Sequence, residues 1–310
     1  ERRNEVYLPG VALPRDLRVE PMSAGVGNAQ VVFLAVPSHG LDDVIGGLEE
    51  HGLSKRAVVV SLAKGLVPPH GRAPSVVLRE RFGRDGAAVM GGPAHAREMV
   101  DEGAATGAGT PAAAVAAELQ QMLVRAGVVC ELALDPVGVE LAGAAKNAAA
   151  LAAGATEQQG LNAAGAAAGH IFAEVWRHAE ALGAQPESFI GLAGTGDLVA
   201  TALAPQSRNR RAGELLAEGI PAAEIPAHIG QAIESLESVP LLAHALTDAG
   251  IDAPVTSGLA HLIAGDVPLE EWVAMVRTTV PPPARFRGRV KRGGRSRFWA
   301  RLLARLRGER

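Results

Sequence analysis

The character of the sequence changes at Asp135 and Pro136. Before this point, four short apolar runs rich in β-branched residues alternate with helical patterns, and after it only helical patterns follow, to about residue 276. Asp followed by Pro is a typical helix start, because the carboxylate caps free N–H groups and proline is tolerated in the first turn. The sequence therefore predicts an α/β domain followed by an all-helical domain.

The apolar runs lack the in/out alternation of half-exposed strands. Strands that are buried on both faces have this pattern. The alternation of strands with helices predicts a parallel sheet. The predicted strands are 31–36, 57–63, 87–90 and 128–132, and the predicted helices between them are 41–51, 74–82 and 111–126. We expect three parts: a sheet domain over 1–135, an all-helical substrate and catalytic domain over 136–280, and a basic tail over 281–310.

Composition excludes several classes of protein. The chain has 310 residues, of which 48% are hydrophobic and 20% charged, so a globular protein is favoured over a disordered one. One cysteine, Cys130, excludes internal disulfides and multi-cysteine zinc motifs, and no two of the nine histidines form an HExxH or HxxxH pair. We expect no metal site and a reducing, cytoplasmic setting. No apolar run is long enough to span a membrane.

The charge is unevenly distributed along the chain. Residues 281–310 carry eleven basic and one acidic side chain, a net charge of +10, whereas the rest carries 19 basic and 32 acidic residues, a net charge of -13. Apolar residues from Phe298 to Leu306 alternate with arginines, which suits a helix at an anionic membrane surface over 285–310. Solvated disorder and non-specific binding of nucleic acid are the alternatives, and no specific nucleic acid is expected.

A dinucleotide-binding fold usually opens with a strand, a G-x-G-x-x-G turn and a helix. The sequence has no such opening, because the glycines at Gly25 and Gly27 precede a predicted strand and lack a third glycine. We interpret residues 25–30 as a surface turn.

Several short motifs together resemble a known family. They occur in the order found in bacterial NAD(P)-dependent glycerol-3-phosphate dehydrogenase, and their order over residues 4–234 is far more specific than any one of them. The motifs are Asn4-x-x-Tyr7-Leu8-Pro9-Gly10-x-x-Leu13-Pro14, Ala35-Val36-Pro37-Ser38, Ala63-Lys64-Gly65-Leu66, Gly92-Pro93-x-x-Ala96-x-Glu98, Lys146-Asn147, Gly194-x-Gly196-Asp197-Leu198 and Ser207-Arg208-Asn209-Arg210-Arg211.

The resemblance implies a fold in two parts. The first is a Rossmann-type dinucleotide-binding domain, and the second is an all-helical domain like that of 6-phosphogluconate dehydrogenase. Asn4 matches a position just after the family's first βαβ stretch, so the Rossmann domain is expected to be incomplete, without that stretch of roughly 30–50 residues. Either the sequence is a fragment, or the protein binds its cofactor poorly or not at all.

The reaction implied by the resemblance is reversible hydride transfer between NAD or NADP and carbon 2 of dihydroxyacetone phosphate, giving sn-glycerol 3-phosphate. It needs a proton donor for the carbonyl oxygen. At helical spacing, Lys146 has small apolar neighbours, and burial of an ammonium lowers its pKa towards neutral pH. A lysine that reaches solvent is the alternative from spacing alone. The resemblance matches Lys146 to the family's proton-transferring lysine, which also contacts substrate.

Other polar residues complete the predicted site. Lys64 follows a predicted strand at the sheet edge where α/β proteins bind ligands, and a second ammonium there would further depress the pKa of Lys146. The resemblance assigns Lys64 to both substrate and cofactor, and Asp197 to the substrate. Asp197 follows two glycines, and its carboxylate beside Lys146 would hold the lysine in position. The alternatives are an ordinary loop lysine and an ordinary turn aspartate.

A hydroxyl, a guanidinium and an amide at Ser207, Arg208 and Asn209 are suitable donors to a phosphate. The resemblance assigns all three to the substrate and Arg208 also to the cofactor. The remaining residues that it implies are Gly92 for the substrate and Ala96, Ala232 and Glu234 for the cofactor.

Four positions depart from the family pattern. Ala94 replaces a serine or threonine, Ala164 and Gly165 replace polar residues, and Ser235 replaces a glycine. A reductase of another small hydroxy acid and a catalytically silent, membrane-associated relative therefore remain alternatives. The small residues of the helical domain are compatible with a homodimer, and the sequence does not distinguish NAD from NADP.

Overall fold

The computed structural model describes residues 2–204 and 206–282. The strands and helices lie in one compact unit that ends at Thr279. The predicted basic tail lies almost entirely outside the described residues. The division of the rest at residue 135 stays a prediction.

The described part of the chain contains seven strands and thirteen α-helices. The strands are β1 (Arg3–Asn4), β2 (Leu8–Ala12), β3 (Val31–Leu34), β4 (Val58–Ser61), β5 (Ala87–Gly91), β6 (Ala104–Gly109) and β7 (Val128–Ala133). The helices are α1 (Leu41–Glu50), α2 (Pro74–Phe82), α3 (Ala96–Asp101), α4 (Ala113–Arg125), α5 (Pro136–Thr156), α6 (Leu161–Ala181), α7 (Pro186–Ile190), α8 (Asp197–Leu203), α9 (Arg208–Ala217), α10 (Ile225–Ile229), α11 (Glu234–Asp248), α12 (Pro254–Ala264) and α13 (Leu269–Thr278).

The main sheet has five strands in the order β3-β4-β5-β6-β7. Strands β3, β4 and β5 are parallel, and β6 and β7 are parallel to each other but antiparallel to the first three. The prediction of a parallel sheet is therefore wrong at the β5–β6 pair. Strand β6 was not predicted because its sequence, Ala-Ala-Thr-Gly-Ala-Gly, has neither bulky apolar residues nor alternation. Residues 25–30 contain a 3-10 turn, Val26–Asn28, rather than a phosphate-binding loop.

Helix α5 lies at the centre of the helical part. All of its residues except Val137 and Ala153 are buried, because it packs against α6, α8, α9 and α11 and against strand β5. A helix that is apolar on every side needs such an environment. The Asp135 carboxylate caps its start by accepting from the N–H of Gly138 at 2.9 Å, as the sequence predicts. The α/β and all-α architecture is thus confirmed.

Glycines allow α9 to approach α5 closely. A Cβ atom at Gly154 would overlap the carbonyl oxygen of Arg210, and one at Gly213 would overlap the carbonyl oxygen of Leu151. The Ser-Arg-Asn motif lies at the start of α9, so this crossing fixes its distance from the central helix.

Within residues 2–204 and 206–282, no single helix is both long and apolar enough to cross a bilayer. The bent pair Pro186–Leu203 and Arg208–Ala217 reaches that length and apolarity only when its two arms are taken together.

Candidate active site

One buried carboxylate binds both lysines of the predicted site. Asp197, the first residue of α8, is fully buried and lies 2.8 Å through Oδ2 from Lys64 Nζ and 3.2 Å through Oδ1 from Lys146 Nζ. Lys146 comes from the middle of α5, and Lys64 comes from the loop after β4. The two ammonium groups, distant in sequence, therefore converge on one point.

The environment of Lys146 lowers its pKa to about 8. Burial is the largest cause, because an ammonium loses its hydration when only 5% of the residue is exposed. The charge of Lys64 lowers the pKa further, whereas the Asp197 carboxylate, by charge and hydrogen bond, and the charge of Glu234 raise it. A lysine with this pKa can give and recover a proton near neutral pH.

The position of Asp197 depends on a π-helical turn, Leu192–Gly196, that runs directly into α8. Gly194 is required in this turn, since a Cβ atom there would overlap the carbonyl oxygen of Phe189. The Gly-x-Gly-Asp motif thus lies in a tight helical turn that brings a carboxylate to the two lysines. The motif is therefore not a glycine-rich loop after a strand.

Thr201, which is not among the predicted site residues, also belongs to the cluster. The Lys146 ammonium donates to Thr201 Oγ1 at 3.0 Å, and the hydroxyl donates to Asp197 Oδ1 at 3.4 Å. Because Thr201 follows Asp197 by four residues, the two side chains lie on one face of α8. That spacing is visible in the sequence and could have identified the residue.

Asn147 connects four parts of the chain. Its Nδ2 donates to the Lys64 carbonyl oxygen at 3.2 Å and to Glu234 Oε2 at 3.4 Å, and its Oδ1 accepts from Asn209 Nδ2 at 2.8 Å. The sequence indicates Asn147 only as part of the Lys146-Asn147 motif. The contacts make it the link between the lysine cluster, the start of α9 and the start of α11.

The start of α9 carries the predicted phosphate-binding residues. Ser207 is buried and caps the helix by accepting from the N–H of Arg210 at 3.3 Å. Arg208 donates to the carbonyl oxygen of Ala232 at 3.0 Å and is exposed. It borders a cavity of about 280 Å³ that is also lined by Gln206, Arg211, Leu215, His228 and Ile229.

Two predicted residues lie on the segment after β5. The carbonyl oxygen of Gly92 accepts from Lys64 Nζ at 2.9 Å, and the backbone there has φ +123°, which favours glycine. Ala96 begins α3 and is exposed, and no described hydrogen bond or ion pair joins it to the lysine cluster. Ser235 is one of the four positions that depart from the family pattern. It is fully buried, and its hydroxyl has no hydrogen-bond partner within the described residues.

Two family models and many curated proteins match this chain. The model for the N-terminus of NAD-dependent glycerol-3-phosphate dehydrogenase matches residues 1–120, and that for its C-terminus matches residues 135–274. The glycerol-3-phosphate dehydrogenase (NAD(P)+) of Methylococcus capsulatus is 36% identical over 289 residues, which are 91% of this chain and 86% of that enzyme. The enzyme of the same name from Deinococcus radiodurans is 36% identical over 86% of this chain and 79% of its own length.

Solved structures show the same fold. Glycerol-3-phosphate dehydrogenase from Coxiella burnetii superposes with a TM-score of 0.83 at 28% identity, over 90% of this chain and 86% of that one. The enzyme from Saccharomyces cerevisiae shares the fold at 21% identity, with a TM-score of 0.72 over 88% of this chain and 82% of that one. The chain therefore belongs to the NAD-dependent glycerol-3-phosphate dehydrogenase family.

Proposed function

We propose that this protein reduces dihydroxyacetone phosphate reversibly to sn-glycerol 3-phosphate with NADH or NADPH, and that Lys146 is the acid that protonates the carbonyl oxygen. Membership of the family supports an NAD(P)-dependent oxidoreductase. The observation that carries the assignment to Lys146 is its convergence with Lys64 on the buried carboxylate of Asp197.

The described residues fit the nicotinamide end of a dinucleotide. The carboxyl ends of β4 and β5 bring the Lys64 ammonium within 2.9 Å of the Gly92 carbonyl oxygen, at the sheet edge where such folds bind ligands. The residues that we assign to the cofactor are Lys64, Ala96, Arg208, Ala232 and Glu234. Bound NAD(P)H supplies the hydride, and the chain supplies the proton and the charges around it.

The contacts and the pKa of Lys146 support its proposed role in the proton transfer. Asp197 and Thr201 hold its ammonium in one orientation, and the nearby charge of Lys64 makes loss of a proton easier. Lys64 also brings a second positive charge near the oxygen that becomes an alkoxide during reduction. Asp197 limits how far the pKa of Lys146 falls, so that the lysine still holds a proton near neutral pH.

We assign the substrate phosphate to Ser207, Arg208 and Asn209, with Gly92 and the two lysines towards the carbonyl end. The guanidinium of Arg208 offers paired N–H donors, and the first turn of α9 adds free backbone N–H groups. Asn209 is already oriented by its bond to Asn147, which also binds the backbone of Lys64. This chain of contacts connects the proposed phosphate-binding residues to the proposed proton donor.

A direct assay tests the reaction. NADH and NADPH oxidation should depend on dihydroxyacetone phosphate, and replacing Arg208 with alanine should raise KM for that substrate roughly 10- to 100-fold, since a hydrogen bond to a charged group contributes about 1.5–3 kcal/mol. The KM for dihydroxyacetone, which lacks the phosphate, should stay nearly unchanged in this variant. An equal rise in KM for both substrates would reject the assignment of Arg208 to the substrate phosphate.

The same assay separates the alternatives. Turnover of an unphosphorylated hydroxy or keto acid, and none of dihydroxyacetone phosphate, would point to a different reductase. If cofactor fluorescence revealed no saturable binding of NADH or NADPH, the result would support a catalytically silent relative.

Four further properties are proposals for the whole protein. We expect a cytoplasmic enzyme whose product serves glycerophospholipid synthesis, as the single cysteine and the family suggest. We also expect a homodimer. Contact of residues 285–310 with the inner face of an anionic membrane is proposed from their sequence, since they lie outside the described residues.

A further inference from the structure

Three residues on one face of α5 contact the segment that carries Lys64. Glu140, Gly143 and Asn147 are spaced three and four residues apart, so they lie in one row along the helix. Asn147 donates to the carbonyl oxygen of Lys64 at 3.2 Å, and a Cβ atom at Gly143 would lie 3.6 Å from the Cβ of Lys64. Glu140 contacts the far end of the same segment, at Ser75. The row therefore binds residues 64–75 at both ends.

The contact of Glu140 is buried and has two hydrogen bonds. Only 5% of the residue is exposed, its Oε1 accepts from the backbone N–H of Ser75, and its Oε2 lies within hydrogen-bond distance of Ser75 Oγ, both at 2.6 Å. Ser75 is the second residue of α2, where the N–H groups have no partner inside the helix. The residue before α2, Ala73, has no side chain that can cap it. Glu140 supplies the missing cap from another helix.

The surroundings of Glu140 favour its neutral form. Burial raises its pKa to about 8, although the two bonds from Ser75 and the charge of Arg79 on α2 oppose the rise, while Asp135, before α5, adds to it. Both carboxyl oxygens accept from Ser75, one from its backbone N–H and the other from its hydroxyl. A glutamine side chain keeps an acceptor for the N–H, and its amide can donate to the Ser75 hydroxyl oxygen once that hydroxyl rotates.

We infer that Glu140 is a positioning residue that binds the start of α2 to α5 and thereby holds Lys64 opposite Lys146. The segment between the two contacts can transmit this constraint, since Val67 and Arg72 pair through two backbone hydrogen bonds and Leu66 and Val67 are buried. Lys64 is the residue whose charge lowers the pKa of Lys146. The catalytic consequence rests on the proposed function, but the structural one does not.

A second buried glutamate provides a matched control. Glu174 on α6 is 3% exposed and caps α12, accepting from the N–H groups of Val255 and Thr256 and from the hydroxyl of Thr256. It has the same chemistry but makes none of these bonds to the Lys64 segment. A loss that is only structural should follow either substitution, whereas a positioning effect should follow only that at Glu140.

Hydrogen exchange of the whole chain tests the structural step without any need for activity. Glu140→Ala should speed amide exchange over residues 64–76, Glu140→Gln should restore slow exchange, and Glu174→Ala should speed exchange near residues 253–258 alone. If Glu140→Ala does not fold, Ser75→Ala removes the hydroxyl partner and should give a weaker effect in the same segment. Unchanged exchange over 64–76, or failure of glutamine to restore it, would overturn the inference.

Kinetics test the catalytic step. Glu140→Ala should lower kcat for dihydroxyacetone phosphate about 10- to 100-fold, with a smaller change in KM, because displacement of a catalytic group by about 1 Å has effects of this order. Glu140→Gln should keep most of the activity, and Glu174→Ala should keep it at temperatures where the variant remains folded. Equal losses in the two alanine variants would overturn a positioning role. An inactive wild-type chain would instead reject the proposed function, and the exchange result would still stand.

Discussion

At the scale of single residues, the pKa of Lys146 determines the expected pH dependence of catalysis. In the proposed mechanism, reduction requires the ammonium form of Lys146 and oxidation requires the amine form. We therefore expect kcat for reduction to fall as pH rises through about 8, and kcat for oxidation to rise over the same range. Lys146→Ala should lower kcat about 10²- to 10⁴-fold and abolish this dependence. The measurement is kcat in both directions between pH 6 and about 10.

Asp197 provides the complementary variant for the same prediction. Its carboxylate raises the pKa of Lys146, so Asp197→Asn should move the alkaline limb of reduction to lower pH. Because the change also leaves two ammonium groups without their buried partner, we expect a loss of about 3–5 kcal/mol in the free energy of unfolding. An alkaline limb that stays in place in a folded Asp197→Asn variant would contradict the assignment of Lys146.

At the scale of elements, the crossing of α5 and α9 links packing to the proposed substrate site. Gly154→Ala would push its methyl group into the backbone of Arg210, and overpacking of this kind costs about 1–3 kcal/mol or more. Movement of α9 would also displace Ser207, Arg208 and Asn209, so KM for dihydroxyacetone phosphate should rise more than kcat falls. Thermal unfolding and steady-state kinetics measure the two effects.

Gly165 on α6 is the control for this prediction. A Cβ atom there meets nothing within 4 Å, and alanine in a helix is about 1 kcal/mol more favourable than glycine. Gly165→Ala should therefore keep or raise stability and leave KM unchanged. Equal effects of the two substitutions would show that helix propensity, rather than the close crossing, governs the response.

The elements also show what a sequence pattern can and cannot reveal. Helix α2 has the predicted bounds, and strands β3, β4, β5 and β7 overlap their predictions, because bulky apolar runs and a proline at the helix start are local signals. Strand β6 consists of alanine, glycine and threonine, and its direction is set by pairing with β5 rather than by its own residues. Register and direction depend on distant partners, which no local pattern contains.

In the candidate site, too, local signals were readable from the sequence and distant contacts were not. Local motifs indicated Lys64, Lys146 and Asp197, and the family resemblance gave their order, but the shared carboxylate depends on how α5 and α8 pack. Asn147 and Glu140 were not selected as site residues because their partners lie 62–87 and 65 positions away in sequence. Thr201 alone among the overlooked residues had a local signal, its spacing of one helical turn from Asp197.

At the scale of the whole molecule, the separation of charge along the chain predicts salt-dependent binding to anionic membranes. Residues 281–310 carry +10 and the remainder -13, so attraction to a negative surface would come from one end of the sequence. The full chain should sediment with vesicles that contain phosphatidylserine, less so as NaCl is raised, and not with neutral phosphatidylcholine vesicles. A full-length variant with Arg297, Arg301, Arg305 and Arg307 changed to glutamine should lose most of this binding while keeping its turnover in solution. Equal sedimentation with both kinds of vesicle, or by both proteins, would reject an electrostatic membrane contact.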